Sequence, residues 1–292
     1  QHLGITTGGA MDHDLFTLSN KIVNNHLNTP VLEFCLQGPA LKLINGSSRV
    51  VISGNVVFDI IRSSKTFEGV PYQSYLLNDG DVIDVKSTVK SNYGYLSIEG
   101  GFKIKKNYGG FDTLVNIKID TNNGKKLINN QKIFINNRGG DKNSKINFNN
   151  NVLNKYIRVI PGPQMNYFFP KVIKNFLNNP FIISNTSNRM GIRLVGNICK
   201  AIKSHNIASE GIVKGSIQVP GDGNPIVLMN DHPTIGGYPK IATVILSDLS
   251  KIAQLPSGSK VLFKKILISE SELLYKNKVN NFNKLLDDIK VH

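Results

Sequence analysis

The sequence predicts a mainly β protein in two β-rich halves, 1–155 and 156–292. Short apolar or alternating runs recur along the chain, clusters of Gly, Asn, Asp and Pro separate them, and a length of 292 residues suffices for two cores. Hydrophobic residues make up 40% and charged residues 19%, the balance of an ordinary folded protein, which sets aside a disordered tail or a low-complexity chain.

The first half opens on a helix. Asp12 or Asp14 caps a segment reaching about Asn24, with Leu15, Leu18, Ile22 and Val23 near one face at helical spacing. Strands are expected at Val31 to Leu36, Ala40 to Ile44, Arg49 to Ile52, Val56 to Arg62, Tyr75 to Leu77, Val82 to Val85 and Tyr93 to Ile98. Asn78-Asp79-Gly80-Asp81 reads as a tight turn, because Asp-Gly supplies the positive φ that hairpin turns require.

In the second half, Ile157 to Ile160 is a strand, Pro161-Gly162-Pro163 a breaker, and Gln164 to Leu177 a helix with Pro170 early in it. Strands follow at Phe181 to Ser184, Arg193 to Val195, Gly215 to Val219, Pro225 to Met229 and Lys260 to Ile268. Ala242 to Ala253 fits a strand or a short helix capped by Ser247 or Asp248, and Ser269 to Ile289 reads as an amphipathic helix.

The formal charge of +15 is concentrated in residues 101–180, which carry 14 Lys/Arg against 3 Asp/Glu. Its centre, Asn116 to Tyr156, is a Lys/Asn/Ile mixture with no arginine-rich or RNA-recognition signature, so solvated loops are expected there and no nucleic-acid partner. No apolar run approaches the roughly 18 residues of a bilayer span, so no membrane association is expected. Cys35 and Cys199 stand far apart and outside any metal-ligand spacing, which argues against a disulfide scaffold or a structural zinc site. Gln1-His2-Leu3-Gly4 resembles no secretory leader and contains no Met; a processed or cut chain in the cytoplasm is the expectation.

Residues that could carry chemistry gather between Ala208 and Lys240. Pro220-Gly221-Asp222-Gly223 and Thr234-Ile235-Gly236-Gly237-Tyr238-Pro239 place glycines in connections where the chain turns sharply or approaches something closely. Main-chain N–H groups in such turns can bind an anion, although two tight hairpin turns account equally for the glycines. Glu210, Gln218, Asp222, Asp231, His232 and Thr234 flank the turns, and Asp231 beside His232 suits proton transfer or is a plain surface pair.

If Ser187 to Leu194 is extended, Arg189, Gly191 and Arg193 face one way and offer two guanidinium forks to a carboxylate or phosphate. The alternative is two arginines bracing loops against internal carboxylates. Thr6 to Asp12 is a glycine-bearing turn into the first helix, where Asp12 either sits near an anion site or occupies the helix start as its cap. The phosphate-loop, dinucleotide, zinc-protease and nucleophile-elbow motifs do not occur.

These residues carry a resemblance. GGAMDHDLFTLSNKIVNN, LEFCLQGPAL, YGYLSIEGGF, RVIPGPQ, SNRMGIRLVG and above all SEGIVKGSIQVPGDGNPIVLMNDHPTIGGYPKIATVILSDLSKIAQL are similar to the family called allophanate hydrolase subunit 2, also known as the biotin-dependent carboxyltransferase subunit family and including the C subunit of 5-oxoprolinase. The likeness covers nearly the whole chain. It implies two cyclophilin-like β-barrel subdomains with a few short helices, the first without its N-terminal strand. The Tyr108 to Thr113 stretch, Gly124-Lys125 and Asn130-Gln131 depart from the family pattern, which makes the Lys/Asn-rich segment its least typical part.

The resemblance further implies two partners, the companion B and the third A subunits of 5-oxoprolinase, and ATP with Mg in the complex, together opening 5-oxo-L-proline to L-glutamate. Asp231, His232 and Glu210 are then the expected catalytic groups. Arg189, Arg193, Gln218, Gly221, Asp222, Gly223, Thr234, Gly236, Gly237, Tyr238 and Asp12 are the expected contacts to substrate or ATP, and no metal is held by the chain itself. The rival readings are the carboxyltransferase part of a biotin-dependent, urea-type carboxylase, with biotin as cofactor, and a regulatory binding protein of a kinase system. One pocket gathering the loops between residues 209 and 239 is the physical expectation beneath all three.

Overall fold

The computed structural model describes residues 4–114, 119–136, 146, 148, 156–202 and 204–289. Much of the Lys/Asn-rich segment, and the opening residues 1–3, lie outside them. The chain forms two compact units. One comprises Asp12–Asn150 and Asn281–His292, the other Gln1–Met11 and Asn151–Asn280. Compared with a division at 155, each terminal segment belongs with the opposite half. For the N-terminal segment the cause is polar: Asn230 Nδ2 donates to the carbonyls of Gly8 and Ala10 at 3.0 and 2.9 Å.

The unit containing Asp12–Asn150 begins with α1 (His13–Ile22), whose start Asp12 caps by accepting from the Leu15 N–H at 3.3 Å. Its buried residues include Leu15, Leu18 and Ile22, the stripe that the helical spacing predicts. Eight strands follow: β1 (Leu32–Cys35), β2 (Ala40–Lys42), β3 (Ser48–Ser53), β4 (Val56–Arg62), β5 (Lys65–Glu68), β6 (Tyr75–Leu77), β7 (Val82–Thr88) and β8 (Tyr93–Ile98). They form two four-stranded antiparallel sheets, ordered β1-β8-β3-β6 and β2-β7-β4-β5. Val50, Ile52 and Leu96 of one sheet share a core with Phe58, Ile60, Ile83 and Val85 of the other, and burial of these side chains is what drives the sheets together. The turn at Asn78–Asp81 is present, with Gly80 at φ +87°, but β6 and β7 lie in different sheets. It links the sheets and closes no hairpin. A two-stranded ribbon, β9 (Thr113–Leu114) with β10 (Ile119–Asp120), completes this unit among the described residues.

The other unit is a closed barrel. Its strands are β11 (Tyr156–Pro161), β12 (Phe181–Ile183), β13 (Gly191–Val195), β15 (Ser216–Gln218), β16 (Ile226–Leu228), β18 (Lys240–Val244) and β19 (Lys260–Lys265), in the order β11-β18-β15-β16-β13-β12-β19. Parallel pairing of β19 with β11 closes it, and closure removes exposed sheet edges. A short ribbon of β14 (Glu210–Gly211) and β17 (Ile235–Gly236) stands outside the barrel order.

Helix α2 (Pro170–Asn178) starts at the proline, and only a 3-10 turn at Met165–Tyr167 precedes it. One helix from Gln164 was expected; Pro170 lacks an N–H and is favoured at a helix start, so the segment splits there. Phe176 of α2 packs on Phe181 and Phe263, with ring centroids 5.6 and 4.8 Å apart. The ambiguous Ala242 to Ala253 stretch contains both elements: β18 ends at Val244 and α3 (Leu249–Gln254) follows a 3-10 turn. The tail forms α4 (Ile268–Asp287). No described helix is long and apolar enough to cross a membrane. The molecule is thus mainly β, two β-rich units with four helices among the described residues.

Candidate functional site

The residues singled out between 187 and 240 all belong to the barrel unit, but they fall into three separately bonded groups instead of one pocket. The first is a brace. Arg189 lies in the bend before β13 and grips Asp231 with both arms of its fork, Nε to Oδ2 and Nη2 to Oδ1, each at 2.9 Å. Its Nη2 also donates to the Gly9 carbonyl at 2.8 Å. Asn230 Nδ2 bonds Gly8 and Ala10, and Thr6 Oγ1 donates to the Asn230 carbonyl at 2.7 Å. A bidentate guanidinium–carboxylate pair with little exposure fixes geometry. Here it fastens the segment 6–10 to the barrel.

His232 is 1% exposed, and its Nδ1 lies 2.5 Å from the Pro233 carbonyl, which requires that nitrogen to carry the proton. The imidazole is thereby enclosed next to the brace, away from solvent. Arg193, by contrast, is exposed on β13, so the two arginines do not form the expected clamp: the backbone bends at Arg189 and turns its side chain to Asp231.

The second group is the turn after β15. Gly223 N–H donates to the Pro220 carbonyl at 2.9 Å and Asn224 N–H to Asp222 Oδ1 at 3.0 Å. Main-chain and side-chain bonds from Asn224 hold the Asp222 carboxyl below its ordinary range, with a smaller contribution from Arg193. Of the donors expected to cradle an anion, the Gly223 N–H is therefore engaged within the turn, and Gly221 gives the His205 ring room to approach. Asp12 caps α1 in the other unit and is buried there.

The third group lies under the β14–β17 ribbon. Glu210 pairs with Gly236 across the ribbon, and Glu210 Oε1 accepts from Lys240 Nζ and from Gln164 Nε2, the latter at 2.8 Å. Bonds from Lys240 and then Gln164 hold the Glu210 carboxyl below its ordinary range. Gln218 is cross-strand partner to Lys240, and its amide lies against Gly236. Thr234 accepts from the Ile212 N–H through its carbonyl at 3.2 Å, the Gly237 carbonyl accepts from Ile207 at 2.8 Å, and Tyr238 is 40% exposed.

Lys240, Gln164 and Asn230 were not among the residues expected to matter. Lys240 had a visible signal, a cation opening the mostly apolar strand Lys240–Val244, but its burial follows only from barrel closure. Among the described residues no group of three or more His, Cys, Asp or Glu could hold a metal ion. A shallow cavity is present in the other unit, beside Tyr72, Pro71 and Phe148.

A barrel and a two-sheet unit in one chain, with a glycine-turn region in the barrel, define the class. Residues 3–265 match the family model described as carboxyltransferase domain, subdomain A and B, and the chain belongs to that family. Among its relatives is the C subunit of 5-oxoprolinase from Escherichia coli (strain K12), 29% identical over 270 residues, covering 92% of this chain and 85% of the relative. The protein of the same name from Haemophilus influenzae is 28% identical, covering 96% and 89%. The crystal structure of K. lactis urea amidolyase has the same fold at a TM-score of 0.84 and 24% identity; this chain is covered to 96% but spans only 18% of that one. The relatives named as 5-oxoprolinase subunits and as urea amidolyase are parts of enzymes.

Proposed function

We propose that the chain is the C subunit of an ATP-dependent 5-oxoprolinase, working with the companion B and third A subunits to convert 5-oxo-L-proline into L-glutamate. The observation that carries this reading is the reciprocal extent of the likeness: it runs through 92% of this chain and 85% of its E. coli relative, against 18% of the urea amidolyase.

The reaction opens an unreactive lactam. Phosphoryl transfer from ATP to the lactam oxygen, with ADP leaving, makes the carbonyl carbon electrophilic; water adds to that carbon, the C–N bond breaks as the nitrogen takes up a proton, and a second water hydrolyses the resulting acyl phosphate to the carboxylate and inorganic phosphate. In the 220–224 turn the Gly223 and Asn224 N–H groups already bond within the turn, which leaves neither as a donor to a triphosphate. ATP and its Mg are accordingly assigned to the assembled complex and not to this turn. What the barrel offers is the Lys240–Gln164–Gln218 group of donors with Glu210.

The test is reconstitution of the chain with its two proposed partners. Glutamate release that requires both 5-oxo-L-proline and ATP, and that avidin does not inhibit, supports the reading. Avidin-sensitive, bicarbonate-dependent turnover of urea supports instead the carboxyltransferase of a biotin-dependent carboxylase, the second reading that the shared fold with urea amidolyase favours. Kinase binding with no turnover of either substrate points to the regulatory role and overturns both.

A further inference from the structure

One cluster of donors in the barrel has more capacity than its internal bonds use. Lys240 on β18 stands opposite Gln218 on β15, and residues directly opposite in an antiparallel pair project to the same face. Both are nearly enclosed, at 3% and 6% exposure. Gln164 joins them, with its Oε1 accepting from the Lys240 N–H at 3.2 Å and its own N–H accepted at 3.3 Å by the Lys240 carbonyl. The three side chains present N–H groups from Lys240 Nζ, Gln164 Nε2 and Gln218 Nε2.

A single carboxylate answers them. Glu210 Oε1 takes the Lys240 and Gln164 bonds, while Gln218 Nε2 is buried with no hydrogen-bond partner. Buried amide donors are nearly always bonded, so one left over beside a buried ammonium points to a missing acceptor. A Cβ at Gly236 would lie 2.5 Å from that Nε2, which puts the amide directly beneath the ribbon strand paired with Glu210. The donors and their acceptor are also unequal in mobility. Lys240 and Gln218 sit on barrel strands, whereas Glu210 is 44% exposed on a ribbon of two residues per strand, too short to be stable by itself.

We propose that Lys240, Gln164 and Gln218 form a carboxylate-binding site, that Glu210 fills it in the absence of ligand, and that the carboxylate of 5-oxo-L-proline displaces Glu210 to bind there. The donor set is chemically selective: it contains an ammonium and two amide N–H groups beneath one ribbon, and an ammonium prefers a carboxylate to a neutral carbonyl. The low-lying ionisation of Glu210 agrees, since the occupant held there is an anion. A carboxylate entering with both oxygens reaches Gln218 as well as Lys240. Lifting the ribbon is the price of entry.

The identity of the ligand rests on the 5-oxoprolinase reading; the site itself does not. The experiment measures binding to the chain in its co-purified complex by calorimetry, using 5-oxo-L-proline, 2-pyrrolidinone, which lacks the carboxylate, and glutarate as a plain carboxylate. The proposal expects 5-oxo-L-proline and glutarate to bind and 2-pyrrolidinone not to. Glu210→Ala, or Glu210→Gln if the first does not fold, removes the internal competitor and tightens glutarate binding at least tenfold. Gln218→Leu removes no internal hydrogen bond, so the fold survives, and weakens binding at least fivefold. Glutarate affinities unchanged within twofold in both variants, or equal binding of 2-pyrrolidinone, overturn the site and make Glu210–Lys240 a strap. Glutarate binding with these mutational responses, but no ATP-dependent glutamate release from the wild-type complex, leaves the site standing and removes only the 5-oxoprolinase reading.

Discussion

Asp248 has no exposed side-chain surface, yet it keeps its charge. Burial alone would raise its pKa, and the bonds from Arg158 outweigh that: Nε to Oδ2 at 2.9 Å, Nη2 to Oδ1 at 2.6 Å and the main-chain N–H to Oδ2 at 2.9 Å, with Lys251 Nζ at 2.9 Å from Oδ1. The net shift is downward from 3.8. A carboxyl depressed on folding contributes stability that is fully present above its unfolded value and is lost as pH falls through the folded one. Asp248→Asn is therefore expected to lower unfolding free energy by about 3 kcal/mol at pH 7, as for a broken buried pair, and to flatten the loss of stability below about pH 4. Urea midpoints measured across pH check both. The Arg189–Asp231 brace calls for a cycle: Arg189→Ala and Asp231→Ala should each cost about 2–4 kcal/mol, and the double variant little more than either, because both remove one interaction. Additive losses in thermal or urea melts would mean that the two residues act separately. Both roles for Arg189 were open in the sequence, anion fork or brace; the deciding partners, Asp231 and Gly9, lie 42 and 180 residues away, a separation that local pattern does not encode.

The elements were legible where one local rule dominates. The stripe of α1 and the alternation of β4 follow from helical spacing and a half-buried strand, whereas the sequence pattern starts α2 six residues early, at Gln164 instead of Pro170. The β14–β17 ribbon was not legible, since two residues per strand carry no periodicity and the pairing of Glu210 with Gly236 depends on the barrel beneath. The link from β6 to β7 shows a related limit: Asp79-Gly80 dictates the turn that is present but not which sheet receives the next strand. At the start of β15 one backbone position has no alternative residue. Gly215 has φ +90°, and a Cβ there would lie 2.8 Å from the Val244 carbonyl oxygen. Gly215→Ala is expected to destabilise the barrel by at least about 1–2 kcal/mol from the backbone conformation alone, read as a lowered melting temperature. A melt equal to wild type would show that the β15–β18 bulge relaxes to accept the methyl group.

At the scale of the molecule, the mainly β class and two β-rich parts were readable because alternation and turn residues repeat over the whole length. The grouping of the site was not: its residues cluster in sequence between 187 and 240, but the barrel distributes them to a brace, a self-bonded turn and a ribbon. The same architecture separates the two thiols. Cys35 is exposed at the end of β1 in the two-sheet unit, whereas Cys199 is 1% exposed in the barrel unit, where burial pushes its pKa up to about 12. At neutral pH a maleimide is expected to alkylate Cys35 within minutes and leave Cys199 untouched until the barrel opens, as peptide mass spectrometry would record. Equal rates at both would contradict that enclosure. Cys199 thus serves as a built-in clock: its alkylation rate, followed while partner proteins, nucleotide or substrate are added, times how often the barrel breathes and which addition holds it shut.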